Sequence, residues 1–166
     1  MDVIVTNLQG IFVDPKFVRD VVVQVLRLQG YPAPPDVGVA LVDDAYIRVL
    51  NREYRGSDYA TDVLSFRLDD GGGPGAGGAA RGGGEAEPPV LGDIVISVQR
   101  ARDQARQFKQ TLRREVAMLA IHGVLHLLGY DDETEAAASV MWARQKELLD
   151  TILGAADGRD PARGPR

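Results

Sequence analysis

Two periodicities run through the apolar positions of the chain, and together they predict short strands and amphipathic helices. Short segments rich in β-branched residues predict strands at residues 2–5, 37–42, 62–68 and 90–97. Longer segments repeat apolar residues at helical spacing and predict helices at residues 15–29, from residue 44, and at about 98–108, 112–128 and 133–153. This order predicts an α+β fold in which one mixed four-stranded sheet is covered by about five helices.

A glycine-rich segment interrupts this pattern between the third and fourth predicted strands. Residues 71–84 have the sequence GGGPGAGGAARGGG, with nine glycines in fourteen positions. We expect a flexible insertion at 71–89, because ordering it would cost more conformational entropy than a core could return. The segment matches neither GxGxxG nor GxxxxGKS/T, the patterns of phosphate-binding loops. The sequence therefore predicts a single domain over residues 1–153 and a disordered tail at 154–166.

Composition and charge narrow the class of protein. Of the 166 residues, 45% are apolar and 26% are charged, which is typical of a globular chain. Cysteine is absent, which excludes disulfides, thiol chemistry and cysteine-bound zinc. No signal peptide or apolar run of membrane length is visible, so we expect a cytoplasmic protein without a membrane partner. The net charge of −5 argues against broad nucleic-acid binding but leaves room for a local basic face.

The two histidines of the chain, His122 and His126, lie four residues apart in a predicted helix and therefore project from one face. Gly129 follows three residues later and Asp132 three residues after that. This spacing equals that of the metzincin metal site, in which a glycine turns the chain so that a third ligand returns to the ion. The pattern predicts a metal bound by His122, His126 and Asp132 with an open fourth position. A pair of histidines in the core or on the surface is the alternative at this point.

The residue after the first histidine separates two kinds of chemistry. A zinc protease with this spacing carries a glutamate there as the general base, whereas this chain has Gly123. The metal geometry is therefore protease-like, but protease chemistry is not supported. A substrate such as a phosphodiester, which needs less help from a carboxylate base, is favoured.

Three segments resemble one known family. Residues 122–132, HGVLHLLGYDD, closely resemble the signature HGxLHLxGYDH of the YbeY family, bacterial endoribonucleases of rRNA maturation. Residues 50–66 (LNREYRGSDYATDVLSF) and 91–97 (LGDIVIS) match as well, in the same order. Apart from the glycine-rich insertion the spacing also fits, and the resemblance covers roughly residues 1–153.

The resemblance implies an activity and a cofactor. The implied activity is that of a single-strand-specific, metal-dependent endoribonuclease acting in rRNA processing, at the 3′ end of 16S rRNA, and in ribosome quality control. Its implied partners are rRNA and the ribosome or its precursors, with no DNA expected. The implied ligands of one divalent ion, usually Zn²⁺, are His122, His126 and position 132. Asp132 replaces the family's histidine, which leaves Fe²⁺ or Mn²⁺ open. A non-catalytic ribosome-assembly factor with a structural metal is the alternative.

The resemblance also implies a role in catalysis or RNA binding for Arg55. The planar guanidinium of an arginine presents paired donors that match phosphate oxygens. A surface arginine paired with Asp58 or Asp62 is the alternative for this residue.

A basic segment offers a second candidate contact with RNA. Residues 98–114 carry six basic side chains and one acidic side chain. Four of the basic residues would share one face if a single helix continued through the segment, although a break is predicted near residues 108–111: Arg102, Arg106, Lys109 and Arg113. Such a face would bind a phosphate backbone, and the alternative is an ordinary solvated helix surface.

Overall fold

The computed structural model describes residues 2–68 and 90–154. The predicted insertion at 71–89 lies outside the described residues. The predicted tail at 154–166 also lies outside them, apart from Gly154. The elements within the described ranges are β1 (Val3–Asn7), α1 (Pro15–Leu28), β2 (Asp36–Val42), α2 (Asp44–Arg55), β3 (Val63–Arg67), β4 (Val90–Ser97), α3 (Val98–Gln107), α4 (Leu112–Leu127) and α5 (Glu135–Leu153). Their types and order confirm the predicted α+β fold, and their bounds differ from the predicted ones by one or two residues.

Side-chain caps explain why the helices begin where they do. The residue before each helix is Asp14, Asp43, Ser97, Thr111 or Thr134, and its side-chain oxygen accepts a hydrogen bond from a backbone N–H two or three residues later. Each such bond satisfies one of the N–H groups that have no partner within the helix.

The four strands form one mixed sheet in the order β1-β2-β4-β3. The β1–β2 and β2–β4 pairs are parallel, whereas β3 pairs with β4 in the antiparallel direction. Arg67 at the end of β3 is opposite Gly92 near the start of β4, so the two strand ends that flank residues 69–89 are neighbours. No helix in the described part of the chain is both long and apolar enough to cross a membrane.

Helices cover both faces of the sheet. The larger core contains α1, α4 and α5 packed against one face, and most of α4 is buried there. On the other face, Leu64 and Phe66 of β3 pack with Ile47 and Leu50 of α2. Alternation along β3 therefore directs Ser65 toward α4, where its hydroxyl donates to the carbonyl oxygen of a helix residue.

The glycine that argued against protease chemistry has a packing role. A Cβ atom at Gly123 would lie 2.7 Å from Cγ2 of Ile94, a buried residue of β4. The same residue provides the carbonyl oxygen that accepts from Ser65, at 3.1 Å. Gly123 thus lets α4 approach the sheet closely, and a glutamate side chain has no room at this position.

Candidate metal centre

Helix α4 brings the two histidines together. One helical turn separates them, and their Nε2 atoms are 3.1 Å apart. The rings meet edge to face, with centroids 4.6 Å apart. Both side chains are half-buried, at the end of the helix that faces a cavity.

The third predicted ligand returns to the histidines through a turn at Gly129. This residue has φ of 101°, in the left-handed region that a glycine adopts without strain. The amide of Tyr130 donates to the carbonyl oxygen of Leu125 and closes the end of the helix. The turn leaves the carboxylate of Asp132 3.9 Å from Nε2 of His126.

The donor atoms of His122, His126 and Asp132 fit a single divalent ion. They all lie within 4.8 Å of one another. Two ligands about 2 Å from an ion in a tetrahedral site are about 3.3 Å apart, so the 3.1 Å between the imidazole nitrogens suits a shared ion, and the Asp132 carboxylate at 3.9 Å would move slightly closer to join them. Two imidazoles and one carboxylate are a donor set used by zinc and by other divalent transition metals.

Gln145 of α5 is a functional residue that sequence reasoning missed. Its Oε1 lies 2.8 Å from Nδ1 of His122, and its side chain is only 2% exposed. Since an amide oxygen only accepts hydrogen bonds, Nδ1 carries the proton and Nε2 presents a lone pair toward the ligand cluster. The available signal was a polar residue within the buried stripe formed by Met141, Leu148 and Leu149.

Arg55, the last residue of α2, lies on the wall of the same cavity. Its guanidinium is 5.0 Å from the centre of the Phe66 ring, and Nη2 donates to the carbonyl oxygen of Ser65. The alternative partners have contacts of their own. Asp58 pairs with Arg48 at 2.9 Å, and that guanidinium lowers the pKa of the Asp58 carboxyl below its usual value. Asp62 accepts from Gln104 at 3.0 Å.

The break predicted near residues 108–111 is confirmed, so the basic residues at 102–113 do not share the face of one continuous helix. Helix α3 ends at Gln107, and Lys109 adopts a left-handed conformation with φ of 52° before α4 begins. Arg113 instead stacks over Phe17 of α1 at 4.2 Å. It precedes His122 by nine residues, which is about 13 Å along α4. Arg102 has a buried Nε atom without a hydrogen-bond partner, and Arg106 is exposed.

A cavity of about 770 Å³ opens over the ligand cluster. The described residues of its wall include none of the four basic residues from the 102–113 segment. The wall carries instead two arginines, Arg55 and Arg67, and carboxylates that include Asp62, Asp131 and Glu133. The Asp131 carboxylate accepts from the amide of Glu133, and the side chain that contacts the His122 ring is that of Gln145.

Comparison with known proteins agrees with the fold and identifies a family. The sequence model of the family described as Endoribonuclease YbeY matches residues 10–153. The Endoribonuclease YbeY of Pelotomaculum thermopropionicum is 45% identical over 153 residues, covering 90% of this chain and 95% of that protein. The protein of the same name from Bacillus subtilis is 43% identical over 128 residues, covering 74% of this chain and 75% of that protein. A solution structure from Thermotoga maritima superimposes with a TM-score of 0.60 at 25% identity, covering 99% of this chain and all of that one.

The mixed sheet, the two-histidine helix and the returning carboxylate define a single-domain α+β protein with a candidate metal site of metzincin-like spacing. Within that class, the family is identified by the match of the family model to residues 10–153 and by relatives that are more than 40% identical. The chain belongs to the endoribonuclease YbeY family.

Proposed function

We propose that the protein is a metal-dependent endoribonuclease that cleaves single-stranded RNA in the cytoplasm, during maturation of the 3′ end of 16S rRNA and in ribosome quality control. The observation that carries the proposal is the convergence of His122, His126 and Asp132 beside an open cavity with Arg55 on its wall. Residues 1–153 form the catalytic domain in this proposal, and rRNA within ribosomes or their precursors is the substrate.

The ligand set supports a catalytic ion. Zn²⁺ is the proposed ion, and two imidazoles with one carboxylate also accommodate Fe²⁺ or Mn²⁺. A divalent ion at such a site supplies Lewis-acid activation of water or of a phosphoryl oxygen. Three protein ligands at the edge of a large cavity leave room for a fourth, exchangeable ligand, whereas structural zinc sites are closed by four protein ligands. This openness disfavours an assembly factor with a purely structural metal.

The side chains around the ion have separate tasks. Arg55 binds the non-bridging oxygens of the scissile phosphate, because its guanidinium is held against Phe66 and Ser65 at the cavity wall. As charge develops on the phosphoryl group during cleavage, a prepositioned guanidinium stabilises it. Gly123 carries no proton acceptor, so Asp62, Asp131 and Glu133 are the cavity carboxylates available for proton transfer.

The proposal is tested by measuring cleavage of single-stranded and duplex RNA by the metal-loaded protein. We expect cleavage of the single strand, loss of cleavage with a chelator and recovery when Zn²⁺ is restored. His126→Ala, purified identically, should lack both the bound metal and the activity. Cleavage at the parent rate by His126→Ala would identify a contaminating nuclease and refute the proposal. The ends of the product distinguish attack by water, which leaves a 5′-phosphate, from attack by the ribose, which leaves a 2′,3′-cyclic phosphate.

A further inference from the structure

Strand β3 forms one long wall of the metal cavity. Val63, Leu64, Ser65 and Arg67 all line it, and Tyr59 lines it just before the strand. From Val63 to Arg67 the strand extends about 13 Å, at about 3.3 Å per residue. That length corresponds to about four nucleotides stacked at about 3.4 Å each. The histidines lie close to this wall, because Ser65 of β3 contacts Gly123, the residue that follows His122 in α4.

The two ends of this wall carry different chemistry. Tyr59 is 58% exposed, and its backbone oxygen accepts from the buried Asn51 side chain, which fixes its place at the cavity rim. At the other end, the Arg67 guanidinium lies beside the turn that carries Asp132. Its Nη1 is 4.0 Å from the point where a Cβ atom at Gly129 would be. An aromatic ring before β3 and a guanidinium at the end of β3 therefore line the same cavity as the ligand cluster.

We propose that Tyr59 stacks on an unpaired RNA base and that Arg67 contacts a backbone phosphate at the opposite end of β3, so that a single strand lies along β3 and passes the metal ligands. This inference rests on the proposed RNA substrate. A base held in a duplex already stacks on its neighbours, so an aromatic platform at the rim favours single strands without selecting a sequence.

The charged side chains of the cavity wall support the same placement of the RNA strand along β3. The described cavity wall carries the carboxylates of Asp62, Asp131, Asp132 and Glu133, which repel a polyanion. Arg55 and Arg67 are the two arginines among the described wall residues. With Arg55 at the scissile phosphate, Arg67 supplies the second phosphate contact that a strand of this length requires.

The test measures binding of a fluorescent 2′-O-methyl oligoribonucleotide, checked to be intact after incubation, to the metal-loaded protein, at salt concentrations from about 50 to 200 mM. We expect Tyr59→Ala to weaken binding by about 5- to 150-fold, the range found for one lost stacked base, with the salt dependence unchanged. Tyr59→Phe keeps the ring and should bind as the parent does. Arg67→Gln should reduce the slope of log affinity against log salt by about 0.7, the value for one phosphate of a single strand.

The chain offers a matched control at Tyr46. This tyrosine of α2 is 44% exposed and lies outside the described cavity wall, so Tyr46→Ala should leave the affinity unchanged. Thermal unfolding confirms that each variant is folded. Equal affinity of Tyr59→Ala and the parent, or an equal loss in Tyr46→Ala, would overturn the stacking role, and an unchanged salt slope in Arg67→Gln would overturn the phosphate contact. If either role is overturned while the parent protein still cleaves RNA, the proposed function remains supported. If the metal-loaded parent protein has no nuclease activity, the proposed function itself is refuted.

Discussion

Replacing Gln145 by leucine tests how the metal centre is held together. Leucine has a similar volume and suits the apolar surroundings formed by Met141, Leu148 and Leu149. The change removes the 2.8 Å contact with Nδ1 of His122 and leaves the three proposed ligands untouched. Without that contact, the hydrogen bond that favours the tautomer with a free Nε2 is lost.

The expected magnitude follows from two terms. Loss of a side chain that orients a metal-bound histidine lowers metal affinity by about 10- to 100-fold, equivalent to about 1.4–2.8 kcal/mol. The metal-free protein is expected to lose about 1–3 kcal/mol of unfolding free energy, because Nδ1 of a half-buried ring is left without its acceptor. Gln145→Glu retains an acceptor at the same position, so it should keep both the metal and the tautomer.

The assay is a competition titration of Zn²⁺ against a chelator of known affinity, combined with ¹⁵N NMR of the His122 ring. Gln110→Leu is the matched control. It also removes a half-buried glutamine hydrogen bond, to Glu115 at 3.2 Å, in the loop before α4 and away from the cavity. We expect Gln145→Leu to bind Zn²⁺ more weakly and to show a mixture of tautomers. Parent-like affinity in Gln145→Leu, with Nδ1 still protonated, would refute the orienting role.

The remaining predictions concern the ligands, Arg55, the packing of α4 and the insertion. Asp132→Ala should lower Zn²⁺ affinity by at least about 10-fold, whereas Asp132→His should retain the metal; equal affinity of Asp132→Ala and the parent would remove this residue from the ligand set. Arg55→Lys should slow RNA cleavage with metal content unchanged, because lysine lacks the paired donors, and parent-like cleavage by Arg55→Ala would contradict the phosphate contact. Gly123→Ala should cost up to about 2 kcal/mol in chemical denaturation, since overpacking against Ile94 by about 1–3 kcal/mol outweighs a helix-propensity gain of about 1 kcal/mol, but it should be harmless in an Ile94→Ala background. Replacing residues 71–84 by a short turn should change stability by about 1 kcal/mol or less, because β3 and β4 already meet at their ends, and a loss of several kcal/mol would show that the segment contributes to the fold.

The sequence predicted the parts of the centre that depend on local geometry. His122 and His126 share a face because one helical turn separates them, and Gly129 marks the end of that helix. The order of strands and helices was accessible for the same reason, since each element carries its own periodicity and cap. Asp132 followed from a spacing known for metal sites, and the structure places its carboxylate beside the histidines.

The parts that sequence reasoning missed arise from tertiary contacts. Gln145 meets His122 across 23 positions of sequence, and no local pattern specifies that pairing. Strand alternation puts Arg67 on the same face of β3 as Ser65, but only the packing of that face against α4 brings it to the cavity. The break near residues 108–111, in contrast, was predicted from the sequence, and Lys109 lies in it with a left-handed conformation between α3 and α4.

The position of Gln145 also gives the centre a maturation order. The three proposed ligands lie on α4 and the turn after it, so a growing chain completes them before it reaches α5. Helix α5 is then fastened to α4 at two levels, by Gln145 at His122 and by Asp150, which pairs with the buried Arg114 at 3.3 Å. Because synthesis proceeds from the N-terminus, the proposed site would reach its full affinity for a metal only after α5 has docked. A nascent chain that ends before α5 would carry every proposed ligand and still lack the contact that orients His122.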